Sequence, residues 1–216
     1  VSFTVPTGNF GDIFAGYIAK HMGLPIEDLV IATNQNDILH RCLSTGEYRM
    51  DKVLPSYSPS MDIQISSNFE RALFDAYDRD GAAVAQLMDA LKTDKGFSLS
   101  QGIIDRLRQN FSSGAVSEQE TLDCIRETMQ NTGEILCPHS AIGVHVAGRL
   151  RNKDVPMITL ATAHPAKFPD AVEKASGTRP ALPERMSDLF QRDERLSQVS
   201  NNLDEITSLI KDRITS

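Results

Sequence analysis

Tryptophan is missing from this chain, and cysteine is scarce, present only as Cys42, Cys124 and Cys137. These thiols are odd in number, far apart and never in a Cys-x-x-Cys pair, so neither a disulfide framework nor a zinc knuckle is indicated. They read as buried thiols. No stretch approaches the roughly 18 consecutive apolar residues that span a bilayer, and the first residues lack the basic-then-apolar pattern of a secretory signal. A cytoplasmic protein with no membrane contact is expected. Positive charge is also short: 22 Lys and Arg against 29 Asp and Glu leave −7, without a block of one sign. That argues against nucleic acid or an anionic membrane as a partner. The five histidines show neither H-x-x-x-H nor H-E-x-x-H spacing, so no metal is expected. A G-x-S-x-G nucleophile elbow is missing too.

What is there is an ordinary globular composition, 40% hydrophobic and 24% charged over 216 residues, enough to bury a real core. Val1 to Val5 suits a strand, and Ile13, Phe14, Tyr17, Ile18 and Met22 recur on one helical face before Gly23. Leu29 to Thr33 reads as a second buried strand, followed by a helix from Asn36 or Asp37 to Gly46. A β-α-β-α beginning predicts an α/β fold with a parallel sheet. Ser67 to Glu70 and Ser117 to Glu120 both have the spacing of a capping box. Residues 81–133 read as a helical insertion between an α/β part at 1–80 and its return at 134–180. In that return, Val155 to Leu160 reads as a buried strand. Residues 181–216 read as C-terminal helices, with Leu196, Val199, Leu203, Ile206 and Ile210 spaced for one helical stripe.

The stretch Gly8-Asn9-Phe10-Gly11 lies where the first strand gives way to the first helix. Free N–H groups and the positive helix end meet there, and glycine lets an anion approach the backbone. Phosphate is the commonest such anion, although glycines of this spacing as often serve only a tight turn. A Walker A loop is excluded, because Asp12 follows the second glycine instead of Lys-Ser/Thr, and the G-x-G-x-x-G dinucleotide fingerprint is incomplete. A compact phosphate monoester fits better, with Asp12 pointing away as a helix-start residue. Thr162 follows the last strand, so its hydroxyl emerges at the carboxyl edge where open α/β sheets bind ligands. Asp78-Arg79-Asp80-Gly81 lacks the later oxygen ligands of a calcium loop and reads as a turn.

Four stretches, "PTGNFGD", "SPSMDIQISSNFER", "CPHSAIG" and "TAHPAKF", occur in this order between Val1 and Phe168 and together resemble the threonine synthase family of fold-type-II pyridoxal-phosphate enzymes. The resemblance implies a fold-type-II parallel sheet and pyridoxal 5′-phosphate as cofactor. It implies that Gly8, Asn9, Phe10 and Gly11 hold the cofactor phosphate and that Thr162 faces the pyridine nitrogen. The implied reaction eliminates phosphate from O-phospho-L-homoserine and adds water to give L-threonine. One element of the family pattern is absent: no lysine here, neither Lys20 nor Lys167, matches the Schiff-base lysine motif. That lysine is expected in a segment upstream of Val1, and these residues alone are expected to be inactive. Two alternatives stay open, a noncatalytic phosphate-ligand binding module and another fold-type-II eliminase. The roles of Ser60, Met61, Asp62, Ser67, Asn68, Arg71, His139 and Lys167 are also open, the substrate phosphate being one candidate contact.

Overall fold

A computed structural model describes residues 1–215 of the chain. Its centre is a four-stranded parallel sheet made of β1 (Ser2–Pro6), β2 (Leu29–Thr33), β5 (Phe111–Ala115) and β6 (Met157–Thr159), in the order β5-β2-β1-β6. A separate antiparallel pair joins β3 (Glu47–Arg49) to β4 (Gly96–Ser98). The helices are α1 (Gly11–His21), α2 (Ile38–Thr45), α3 (Phe69–Ala76), α4 (Gly81–Thr93), α5 (Gln101–Arg108), α6 (Glu118–Thr132), α7 (Pro138–Leu150), α8 (Pro169–Ser176) and α9 (Leu203–Thr215). The α/β reading with helices around a parallel sheet is what the structure has.

The β2 residues explain why the sheet sits in the middle. All of Leu-Val-Ile-Ala-Thr is buried, and successive side chains go to opposite faces. Leu29 and Ile31 join Val5, Ile13, Tyr17 and Phe111 in the larger core, while Val30 and Ala32 meet Ile142 and Val146 of α7 on the other face. Gly143 lets α7 close on that face: a Cβ there would fall 2.7 Å from Thr159 Cγ2 and 3.2 Å from Pro6 Cγ.

Two expectations need correction. Residues 81–133 are not purely helical: β5 lies within them and pairs in parallel with β2 from Phe111 to Ala115. Phe-Ser-Ser-Gly-Ala has little strand propensity of its own. Pairing with the buried β2 and packing of Gly114 under Val146 override that local weakness. The strand expected at Val155 to Leu160 is shorter and is not buried. It is the sheet's edge, with Ile158 45% exposed.

The chain divides into two compact units, one from Val1 to Pro180 and one beginning at Ala181. In the second, 3-10 turns at Glu184–Met186 and Leu189–Gln191 precede α9, which has no buried residue. Among the described residues no helix is long and apolar enough to cross a membrane.

Candidate functional site

The loop after β1 is built from its carbonyls outward. Ser66 Oγ donates to the Gly8 carbonyl at 2.8 Å, while the N–H and the side-chain amide of Asn68 donate to the Asn9 carbonyl at 3.1 and 2.9 Å. In a trans peptide the N–H points opposite to its carbonyl. Tying down these two oxygens therefore turns the N–H groups of Asn9 and Phe10 the other way. Thr7 N–H is spent on the Ala32 carbonyl, and Phe14 N–H on that of Phe10. Between them, the backbone N–H groups of Gly8 through Ile13 have no protein acceptor among the described residues. Val5 through Ile13 line a cavity of about 170 Å³ at this point.

Phe10 caps α1 in the left-handed region, φ 67°, a conformation that costs a non-glycine residue about 1–2 kcal/mol. Its ring is 1% exposed and meets Phe69 and Phe111 edge-on at 5.3 and 5.2 Å, which holds the turn in place. The two glycines serve close approach instead. A Cβ on Gly8 would lie 2.9 Å from the Ser60 carbonyl oxygen, and one on Gly11 3.4 Å from Asn68 Nδ2. Asp12 is exposed in the first turn of α1, as expected of a helix-start carboxylate.

Behind the loop, Asp62 organises the segment that Gly8 rests on. Its Oδ1 accepts from Asn34 Nδ2 at 2.8 Å, Asn36 Nδ2 at 3.0 Å and Ser56 Oγ at 2.6 Å, and its Oδ2 accepts from Ser56 N–H at 2.8 Å. Met61 beside it is core, packed with Val30, Ala32 and Ile142. Ser60 and Ser67 are exposed, and the Arg71 guanidinium lies over the Phe14 ring at 5.8 Å.

The N-terminus of α7 and the segment after β6 complete this edge. Thr4 pairs with Thr159, so β1 and β6 leave the sheet side by side, one toward Gly8 and the other toward Thr162. Thr162 N–H donates to Ser140 Oγ at 3.2 Å, and its exposed hydroxyl has no protein partner among the described residues. Next to Ser140, His139 is only 5% exposed, yet neither ring nitrogen has a hydrogen-bond partner. A buried polar group left unsatisfied costs about 1–3 kcal/mol. Its ring meets that of Phe168 at 4.7 Å. Burial, and after it the Lys167 ammonium, push the His139 pKa below that of a free imidazole, with Asp62 pulling the other way. Lys167 is exposed, its ammonium 5.9 Å from the Phe168 ring centroid.

All the candidate residues at Gly8 to Gly11, together with Thr162, thus come to one edge of one sheet. The anchoring roles of Phe10, Ser66 and Asp62 carried no distinctive sequence signal, since they depend on Phe69, Gly8, Asn34 and Asn36, each 26 or more residues away.

Residues 140–210 match the family model described as threonine synthase, C-terminal. The threonine synthase of Pseudomonas aeruginosa is 52% identical over 212 residues, which is 97% of this chain and 45% of that protein. A pyridoxal-phosphate-bound threonine synthase from Brucella melitensis superposes with a TM-score of 0.93 at 53% identity, over 100% of this chain and 47% of that one. The yeast threonine synthase gives 0.87 at 40% identity over the same shares, 100% and 47%. The chain spans about half the length of the relatives it matches. Family model, sequence relatives and solved structures agree with one another: this chain is similar, over nearly its whole length, to about half of a threonine synthase.

Proposed function

We propose that these residues are the C-terminal part of a cytoplasmic threonine synthase, a lyase that converts O-phospho-L-homoserine and water to L-threonine and phosphate with pyridoxal 5′-phosphate. One observation carries the reading: a run of backbone N–H groups, Gly8 through Ile13, left without acceptors at a helix start on the sheet's carboxyl edge. Such a cradle suits a phosphate monoester, because fixed donors and the helix dipole need no mobile cation to neutralise it. Gly8, Asn9, Phe10 and Gly11 would hold the cofactor phosphate. Thr162, fixed through its N–H to Ser140, would offer its free hydroxyl to the ring nitrogen. A hydroxyl, unlike a carboxylate, does not enforce a protonated ring. When bound, the cofactor supplies the electron sink for the elimination. The chain's own residues would hold the phosphate through a loop anchored by the buried Phe10 ring and would set the cofactor ring's position through Thr162.

No lysine of this chain fits the covalent role. Lys167 lies against Phe168, and Lys20 donates to the Glu27 carbonyl at 3.2 Å. The lysine is therefore proposed to come from another part of a longer protein, a reading supported by relatives about twice this length. Intact-mass and peptide mapping after borohydride reduction with pyridoxal phosphate test this, alongside an assay for threonine from O-phospho-L-homoserine. With the longer protein, threonine forms and the reduced adduct maps outside these residues. An adduct on this chain overturns the lysine assignment, and a longer protein that makes no threonine overturns the activity.

A further inference from the structure

β5 begins at the edge of the sheet opposite the glycine loop, and a separate cavity of about 250 Å³ opens there. Its wall includes Tyr17 of α1, Asp75 of α3, Asp78, Arg106 of α5, Asn110 and Phe111. The floor is aromatic: Tyr17, 7% exposed, stacks on the Phe111 ring at 5.4 Å. The rim is charged. Arg106 Nη1 donates to the Ala76 carbonyl at 2.9 Å and to Asp78 Oδ2 at 2.7 Å, which fixes the guanidinium plane. Its Nε and Nη2 have no protein acceptor among the described residues, and their N–H groups form the paired edge that a carboxylate takes with both oxygens. Half-buried Asp75 faces the Tyr17 hydroxyl and has Arg79 Nε 3.4 Å from its Oδ1. A carboxylate offers about four acceptor positions, so room for an ammonium remains. Asp78 and Arg79 both stand in the left-handed region, φ 55° and 66°, a strained pair of non-glycine residues kept beside the cavity.

The charges select the occupant. Asp75, Asp78, Arg79 and Arg106 sum to zero, so a phosphate or a simple amine would leave one sign uncompensated, whereas a zwitterion keeps the balance. A cavity smaller than the roughly 300 Å³ of the smallest drug-sized pockets admits only a small one. We propose that this cavity binds a small α-amino acid, whose carboxylate lies on the Nε and Nη2 edge of Arg106 and whose ammonium lies on Asp75. The site stands on its own geometry; only the choice of L-threonine as probe rests on the functional reading above. α3 links it to the glycine loop, since Asn68 at the start of that helix holds the Asn9 carbonyl and Asp75 near its end lines the cavity.

The test is an NMR titration of the isotope-labelled chain with L-threonine, following the Tyr17 ring, Arg106 Nε–H and the amides of Gly8 to Asp12. Two half-ligands are the controls: 3-hydroxybutyrate has the carboxylate without the ammonium, and 1-amino-2-propanol the ammonium without the carboxylate. The expected result is a saturable shift of the Tyr17 and Arg106 signals with L-threonine and an affinity at least tenfold lower for either half-ligand. Arg106→Lys keeps the charge but loses the paired edge, and is expected to weaken the Tyr17 response to L-threonine at least tenfold. Cavity signals unmoved by L-threonine overturn the proposal, as does an equal response to either half-ligand or an unchanged affinity in Arg106→Lys. The cradle is read separately, from the loop amides on addition of inorganic phosphate. If they stay still while L-threonine shifts the Tyr17 ring, the cradle reading fails and the amino-acid site stands.

Discussion

β1 and β6 run side by side and deliver the chain to the same edge of the sheet, but the two exits present different chemistry there. The β1 exit is all backbone: carbonyls tied back by Ser66 and Asn68, N–H groups turned outward, and a buried Phe10 ring as the anchor. The β6 exit works through side chains, with the Thr162 hydroxyl, the Lys167 ammonium and the His139 imidazole of the adjoining α7. A backbone cradle has fixed dipoles and no titration. A side-chain site has charge and a proton, so it responds to pH and to substitution.

The largest expected effect lies between the two exits. Asp62→Ala leaves the amides of Asn34 and Asn36 and the Ser56 hydroxyl and N–H without their shared acceptor. The Asn34 amide and the Ser56 hydroxyl keep Ser58 and the Asn36 amide keeps the Leu54 carbonyl, so the Ser56 N–H is the donor left stranded, and a loss of about 2 kcal/mol in urea denaturation is expected. A loss below about 1 kcal/mol would show that the loops stand without this carboxylate. Next comes the backbone exit itself. Gly8→Ala places a methyl 2.9 Å from the Ser60 carbonyl oxygen, so the cradle must move off its support. Affinity of the loop amides for inorganic phosphate is expected to fall at least tenfold, about 1.4 kcal/mol. Unchanged affinity would separate the glycine from the anion.

The side-chain exit predicts a pH dependence that the backbone exit lacks. Because the folded pKa of His139 lies below its ordinary 6.5, the unfolded chain takes up a proton first as pH falls through 6.5. Stability is therefore full above that value and declines below it, by at most about 1.4 kcal/mol per pH unit for one proton. His40, hydrogen-bonded to Ser113 and depressed mainly by burial, with Arg149 adding to and Asp37 opposing the shift, contributes with the same sign. His139→Gln should flatten part of the decline between about pH 6.5 and 5 in thermal melts, since only one of the two ionisations is removed. An identical slope in the variant would mean that the imidazole is solvated and protonates freely.

How much was legible follows the same division. β1, β2 and the glycine loop announce themselves because apolar runs and glycines act locally. β5 does not, since Phe-Ser-Ser-Gly-Ala becomes a strand only by lying against β2. The short exposed β6 misleads for the complementary reason: a local apolar run says nothing about whether a strand is central or at the edge. His139 could be flagged as a candidate from its place in "CPHSAIG", but its lack of partners is a property of burial and leaves no trace in sequence.

The smallest effect is the sharpest test of that lesson, because two stretches of the same pattern have opposite outcomes. At Ser117 the capping box closes: the Ser117 hydroxyl accepts from Glu120 N–H, and the Glu120 carboxylate accepts from Ser117 N–H. At Ser67 it does not. Asn68 caps α3 in a helical conformation without a side-chain capping bond, and its amide is spent on the Asn9 carbonyl. Ser117→Ala is thus expected to lower stability by about 1 kcal/mol, and Ser67→Ala by no more than a few tenths. Equal losses in the two melts would mean that Ser67 caps its helix after all. In that case α3 would be capped locally, independently of the Asn68 bonds to the glycine loop. The predicted inequality instead means that the start of α3 has given up its own side-chain cap to hold the Asn9 carbonyl.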